Sequence, residues 1–148
     1  MNKLTKQAIV VGILASGVAG LAQANDDGDG CSLSTLRGLY LFNASGFNVV
    51  AGVAVPKALV TFVRFNGDGT LTGGVSTTSI NGVIMRNPGG FTGTYTVAAD
   101  CTGSADFGPP PHFTFDLFIS SKGAELVMIQ TGGPVPAVMQ GTAERLSR

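Results

Sequence analysis

From Gly38 onward, apolar and polar residues follow a period of two. That is the repeat of a half-buried strand, not of a helix. Phe91, Gly93, Tyr95 and Val97 share one face of their segment, with Thr92, Thr94 and Thr96 on the other. Phe113, Phe115, Leu117 and Ile119 group in the same way, opposite Thr114, Asp116, Phe118 and Ser120. Gly, Asn, Asp and Pro cut the apolar runs at intervals of about 8–12 residues, the spacing of an all-β sandwich or barrel.

The pattern predicts early strands at Leu39–Phe42, at Val49–Val55 (stopped by Pro56) and at Ala58–Phe65. Leu71–Ile80, Val83–Arg86, Phe91–Val97 and a short strand around Cys101–Phe107 follow. The last three are Phe113–Ile119, Glu125–Thr131 and Ala137–Arg145. Asn66-Gly67-Asp68-Gly69 and Asn81-Gly82 tolerate positive φ and mark hairpin turns. Gly108-Pro109-Pro110-Pro111 lacks the donors of a ladder and is a loop or an edge. Only Leu33–Leu36 offers a helical turn. Short sequential hairpins imply a meander, and a meander leaves two raw edges unless it closes. A single antiparallel up-and-down barrel of about eight strands removes both edges, and its interior holds side chains or one small ligand. The alternative is a β-sandwich.

The first residues set the compartment. Lys3 and Lys6 precede an apolar stretch from Ala8 to Leu21, which ends in Ala22-Gln23-Ala24. A basic start, a short apolar run and a small-x-small site form the pattern of a secretory signal. The run falls short of the roughly 20 apolar residues that span a bilayer. Residues 1–24 are therefore read as a signal peptide. Residues 25–37 are an N-terminal leader and 38–148 the barrel, periplasmic or secreted. The acidic, glycine-rich stretch from Asn25 to Gly30 lacks the downstream Glu and the spacing of a calcium loop.

Without Lys3 and Lys6, seven Lys and Arg face nine Asp and Glu, a balance that gives nucleic acid no footprint. No further segment is apolar enough for a membrane helix. Short strands and the lack of Trp argue against an outer-membrane barrel. The expected chain makes no stable membrane insertion. Cys31 and Cys101 are the only cysteines. In an exported chain an even count favours a disulfide, with two free buried thiols as the alternative. That bond would tie the leader to the middle of the fold. Two thiols and one histidine are too few for a metal, and no cofactor is expected.

Several patches in order, Leu36-Arg37-Gly38-Leu39-Tyr40, Phe65-Asn66-Gly67-Asp68-Gly69, Gly93-Thr94-Tyr95-Thr96-Val97, Asp100-Cys101-Thr102-Gly103 and Gly141-Thr142-Ala143-Glu144-Arg145, span nearly the whole exported part. Together they resemble a group of uncharacterised exported bacterial proteins with calycin-like or allene-oxide-cyclase-like barrels. The resemblance implies an eight-stranded meander barrel and no agreed activity. It also implies that Tyr40 and Arg145 pair to close the barrel, as an aromatic and an arginine do in lipocalin-like calycins. The chain departs from true lipocalins in lacking Gly-x-Trp, since position 40 is Tyr.

Candidate chemistry is sparse. His112 follows three prolines, and nothing in the sequence sets Asp106 or Asp116 beside it as a serine triad requires. Arg64 shares a strand face with Val60 and Phe62. If that face turns inward, the guanidinium needs a partner or an anionic ligand; at a strand end it reaches water instead. Met85, Met128 and Met139 either line an adaptable cavity or fill an ordinary core. The leading reading is a non-catalytic barrel that binds a small apolar or amphipathic ligand, with Tyr40, Phe62, Arg64, Tyr95, Phe115, Met128 and Met139 as lining residues. One alternative is a barrel isomerase or cyclase acting on a flexible apolar substrate, with Arg64, Tyr95 or Glu144 as polar handles. The other is a structural or interaction module at the cell surface, with a solid barrel.

Overall fold

A computed structural model describes residues 30–148. The proposed signal peptide, its cleavage site and most of the acidic stretch after it lie outside the described residues. The described chain opens with a 3-10 turn, Leu33–Leu36, followed by nine strands. They are β1 (Gly38–Val50), β2 (Val53–Phe65), β3 (Thr70–Ile80), β4 (Val83–Asn87) and β5 (Phe91–Val97). Then come β6 (Thr102–Phe107), β7 (Phe113–Ile119), β8 (Glu125–Gly132) and β9 (Ala137–Ser147).

Every pairing is antiparallel. The ring runs β1-β2-β3-β5-β6-β7-β8-β9 and closes where β9 pairs back onto β1. It is an eight-stranded meander barrel with β4 outside the ring. β3 explains the extra strand. Its first half, Thr70–Gly73, pairs with β5, and its second half, Ser76–Ile80, pairs with β4. β4 therefore stands above β5 on the same edge and raises one wall. Between the two halves of β3, Phe62 of β2 faces Gly74 and Val75 together, a β-bulge. Thr61 Oγ1 donates to the Val75 carbonyl at 3.1 Å and satisfies an acceptor the bulge strips from the ladder.

Two early boundaries differ from expectation. The predicted strands at Leu39–Phe42 and Val49–Val55 belong to one long hairpin, which turns at Ala51-Gly52 with φ of 48° and 80°. The polar stretch Asn43–Gly46 continues β1 because Ala44 still packs inward. A side chain at Gly46 would strike the Val138 carbonyl of β9. Pro56 does not stop β2. Its carbonyl accepts from Asn81 N at 2.9 Å, so its missing donor faces the end of the β3 ladder rather than β1.

The inward residues form two layers. Near the lower end, Phe65 lies edge-on between Tyr40 and Tyr95, with ring centroids 5.2 Å and 4.9 Å away. Leu36, Val63, Leu71, Leu117, Leu126 and Met128 fill the space around them. Higher up, Phe42, Phe115, Phe107 and Phe91 make a second edge-to-face chain at 6.0, 5.3 and 5.6 Å. Each such pair adds about 1 kcal/mol beyond its buried area.

Candidate functional site

The barrel has one shut end and one open end. At the shut end the 3-10 turn lies across the mouth with Leu36 fully buried beneath it. Tyr40 donates its hydroxyl proton to the Gly123 carbonyl at 2.5 Å and accepts from Arg145 Nε at 2.9 Å. Arg145 Nη2 also donates to the Thr35 carbonyl in the turn. Gly123 has φ of 61°, and any side chain there would meet the Thr35 carbonyl and the Arg145 guanidinium. Tyr95 donates to the Leu33 carbonyl at 2.9 Å and accepts from Gly67 N at 3.0 Å. Burial, the largest cause for both, holds the two phenols above their ordinary pKa. The Cys31–Cys101 disulfide, with Cα atoms 4.9 Å apart, fastens the start of the described chain to the turn before β6.

At the open end the strands are unequal. β1 and β2 run for 13 residues each, whereas β5, β6 and β7 run for 7, 6 and 7. The long hairpins rise past the short ones and leave a cavity of about 500 Å³ above the upper aromatic layer. Phe91, Phe107, Phe113 and Phe115 line it from the short-strand side. Leu59, Ile80, Met85 and Met139 face them, and Pro109, Pro111, Pro134 and Val135 border it from the loops. The volume and the apolar lining match those of small-molecule sites.

Two polar residues in this lining have unusual surroundings. Lys57 enters one pair above Leu59 on the inner face of β2. Among the described residues no Asp or Glu lines the cavity with it. Partial burial draws its pKa below the ordinary lysine value. Gln130 of β8 is only 8% exposed. Its Nε2 donates to the Gly132 carbonyl at 3.0 Å, which fixes the amide orientation, and its buried Oε1 receives no hydrogen bond. A buried acceptor without a donor costs about 1–3 kcal/mol.

The predicted lining residues fall into three places. Phe115 and Met139 line the cavity. Tyr40, Tyr95 and Met128 lie below it in the packed layer. Phe62 and Arg64 correct the expectation: both point outward, because Thr61, Val63 and Phe65 are the buried set of β2. The alternation of β2 was legible, but its sense was not, since Val60 and Phe62 are as apolar as Leu59 and Val63. Glu144 is exposed on the outer face of β9. The three polar handles considered for a cyclase thus all lie outside the cavity. The sequence reading missed Lys57 and Gln130, although Lys57-Leu59-Thr61-Val63 and Leu126-Met128-Gln130 each place them in phase with core residues.

The remaining candidates are surface features. His112 Nδ1 lies 2.9 Å from Asp106 Oδ1, with both side chains substantially exposed. Asp100 caps its turn, accepting from Thr102 N at 3.0 Å and Thr102 Oγ1 at 2.7 Å. These bonds hold its carboxyl below the usual carboxylate range. Among the described residues no three His, Cys, Asp or Glu side chains gather as metal ligands, and no helix is long and apolar enough to cross a membrane. Comparison of the chain with protein-family models, curated proteins and solved structures gave no match.

Proposed function

We propose that this protein is an exported, non-catalytic barrel that holds one small amphipathic molecule in its open end. The observation that carries the reading is the asymmetry of the interior. The lower half is packed solid around Tyr40, Phe65 and Tyr95, while the upper half keeps about 500 Å³ empty above an aromatic floor. Filling that open space with larger side chains would add buried apolar area at about 25 cal/mol per Å², a stabilisation the fold forgoes. Lys57 supports an occupant with a polar end, since it lines the same cavity with no Asp or Glu beside it among the described residues. Export agrees with the disulfide, a bond that persists in oxidising compartments.

The test is native mass spectrometry of protein purified from its own host, with titration by the neutral probe N-phenyl-1-naphthylamine. A co-purifying lipid-like mass and saturable probe binding are expected. Thr78→Trp, which projects bulk into the cavity from the upper half of β3, should abolish both and leave the circular dichroism spectrum unchanged. No bound mass and no probe binding in the wild type would overturn the proposal.

A further inference from the structure

Lys57 gives the cavity a sign. β2 and β7 lie four places apart in the eight-stranded ring, on opposite walls of the barrel. Lys57 leaves β2, crosses the mouth and sets its Nζ 5.5 Å from the ring centroid of Phe113, at the top of β7. The ammonium thus rests on an aromatic face instead of a carboxylate. Among the described residues the one ion pair within 4.0 Å is His112–Asp106, which does not line this cavity. Among the described residues Lys57 is also the only ionisable one in the cavity lining; the other polar members are Asn48, Ser76, Thr78, Asn87 and Gln130. A partly buried ammonium without an anion has given up part of its hydration for a cation–π contact worth about 1–2 kcal/mol.

We infer that the ligand is a single-chain amphiphile with one compact anionic head, bound with that head at Lys57 beneath the mouth and its apolar chain on the Phe91, Phe107 and Phe115 floor. This rests on the reading of the cavity as a ligand site. The geometry gives an orientation: Lys57 stands above Leu59 on β2, so the charged end is uppermost and the chain lies deeper. An anionic head takes the place of the Phe113 ring at Nζ. A cationic head meets an uncompensated like charge at the entrance, and a neutral head gains a hydrogen bond but no charge pairing from it.

Competition against N-phenyl-1-naphthylamine compares ligands that share one chain: dodecanoate, dodecyl phosphate, dodecanol and dodecyltrimethylammonium. The expected order places either anion about tenfold or more ahead of the alcohol, with the cation weakest. The ranking of the two anions identifies the head as carboxylate or phosphate. Lys57→Met keeps the apolar stem and should erase the preference for anions while dodecanol still binds. Equal affinity of wild type for dodecanoate, dodecyl phosphate and dodecanol, or a preference that survives in Lys57→Met, would overturn the inference and leave the cavity reading standing. Failure of all four amphiphiles to bind the wild type removes both. The ranking within wild type needs no variant, so poor folding of Lys57→Met does not blunt the test.

Discussion

Tyr40 on β1 and Arg145 on β9 meet at the seam where the ring closes. Their register partners are each other, the Nε–Oη bond is 2.9 Å, and the guanidinium carbon lies 5.4 Å from the phenol ring centroid. The same phenol bonds Gly123 in the turn before β8, and the same guanidinium bonds Thr35 in the 3-10 turn. One pair of side chains thus links the first strand, the last strand, a turn and the lid of the shut end.

Removing either member should cost more than a surface substitution. Tyr40→Phe deletes a fully buried hydroxyl and strands the Gly123 carbonyl, at a cost of about 1–2 kcal/mol. Arg145→Met strands the Thr35 carbonyl and the phenol oxygen, with a similar or larger loss. A double-mutant cycle read by urea unfolding should give a coupling above about 0.5 kcal/mol. Strict additivity would show that the seam is not a joint unit.

The barrel should be sensitive to alkali. The Tyr40 and Tyr95 hydroxyls titrate above the ordinary value of 10.0 because burial opposes the phenolate, so the folded chain retains protons that the unfolded chain releases. Stability from this source is fully present below pH 10 and is lost as the pH rises through the raised folded values. The urea midpoint should fall in that range, and Tyr95→Phe should flatten the fall even though it lowers stability at neutral pH. A midpoint that ignores alkaline pH in the wild type would contradict this account.

Reduction should act mainly through the unfolded chain. The Cys31–Cys101 bond spans 70 residues, and closing a loop of that length removes about 4 kcal/mol of chain entropy from the unfolded state. A Cys31→Ser/Cys101→Ser variant should lose a stability of that order. Its earliest gain in amide exchange should fall at the backbone N–H of position 31, which bonds the Ala99 carbonyl in the wild type, and at Thr35 N and Arg37 N. Hydrogen exchange with mass spectrometry resolves the order.

One charge reversal should stabilise the fold. Glu125 of β8 and Glu144 of β9 are directly opposed in register on the outer face, where like charges repel. Glu125→Lys turns the pair into an attractive one and should gain about 0.3–0.5 kcal/mol in low salt. The gain should shrink as salt is added. A salt-independent change would assign the effect to strand propensity instead.

Most of the ring was legible because its signals are local. Alternation at Phe91–Val97 and Phe113–Ile119, and the Asn-Gly turns at Asn66 and Asn81, fix strands and reversals within a few residues. Closure followed from the cost of raw edges. The β1–β2 hairpin was not legible, because Gly46 and Pro56 look like breaks until the approach of β9 and the end of the β3 ladder are known. The site was harder still. Lys57 is an ordinary cation in one dimension, and its meaning comes from Phe113, 56 positions away in sequence and across the barrel in space.

The way β4 and β5 share a single edge of β3 has an evolutionary corollary. On its β5 edge the ring uses only the half of β3 that carries Thr70–Gly73, while Ser76–Ile80 pairs with β4 on that edge and with β2 on the other, so the Asn81-Gly82 arm can gain residues in twos without disturbing strand number or stagger. Each such insertion would heighten one side of the aperture and alter which guests fit, while the seam and lid remain as they are. Descendants of this architecture can thus diversify in cargo by editing a single protruding arm.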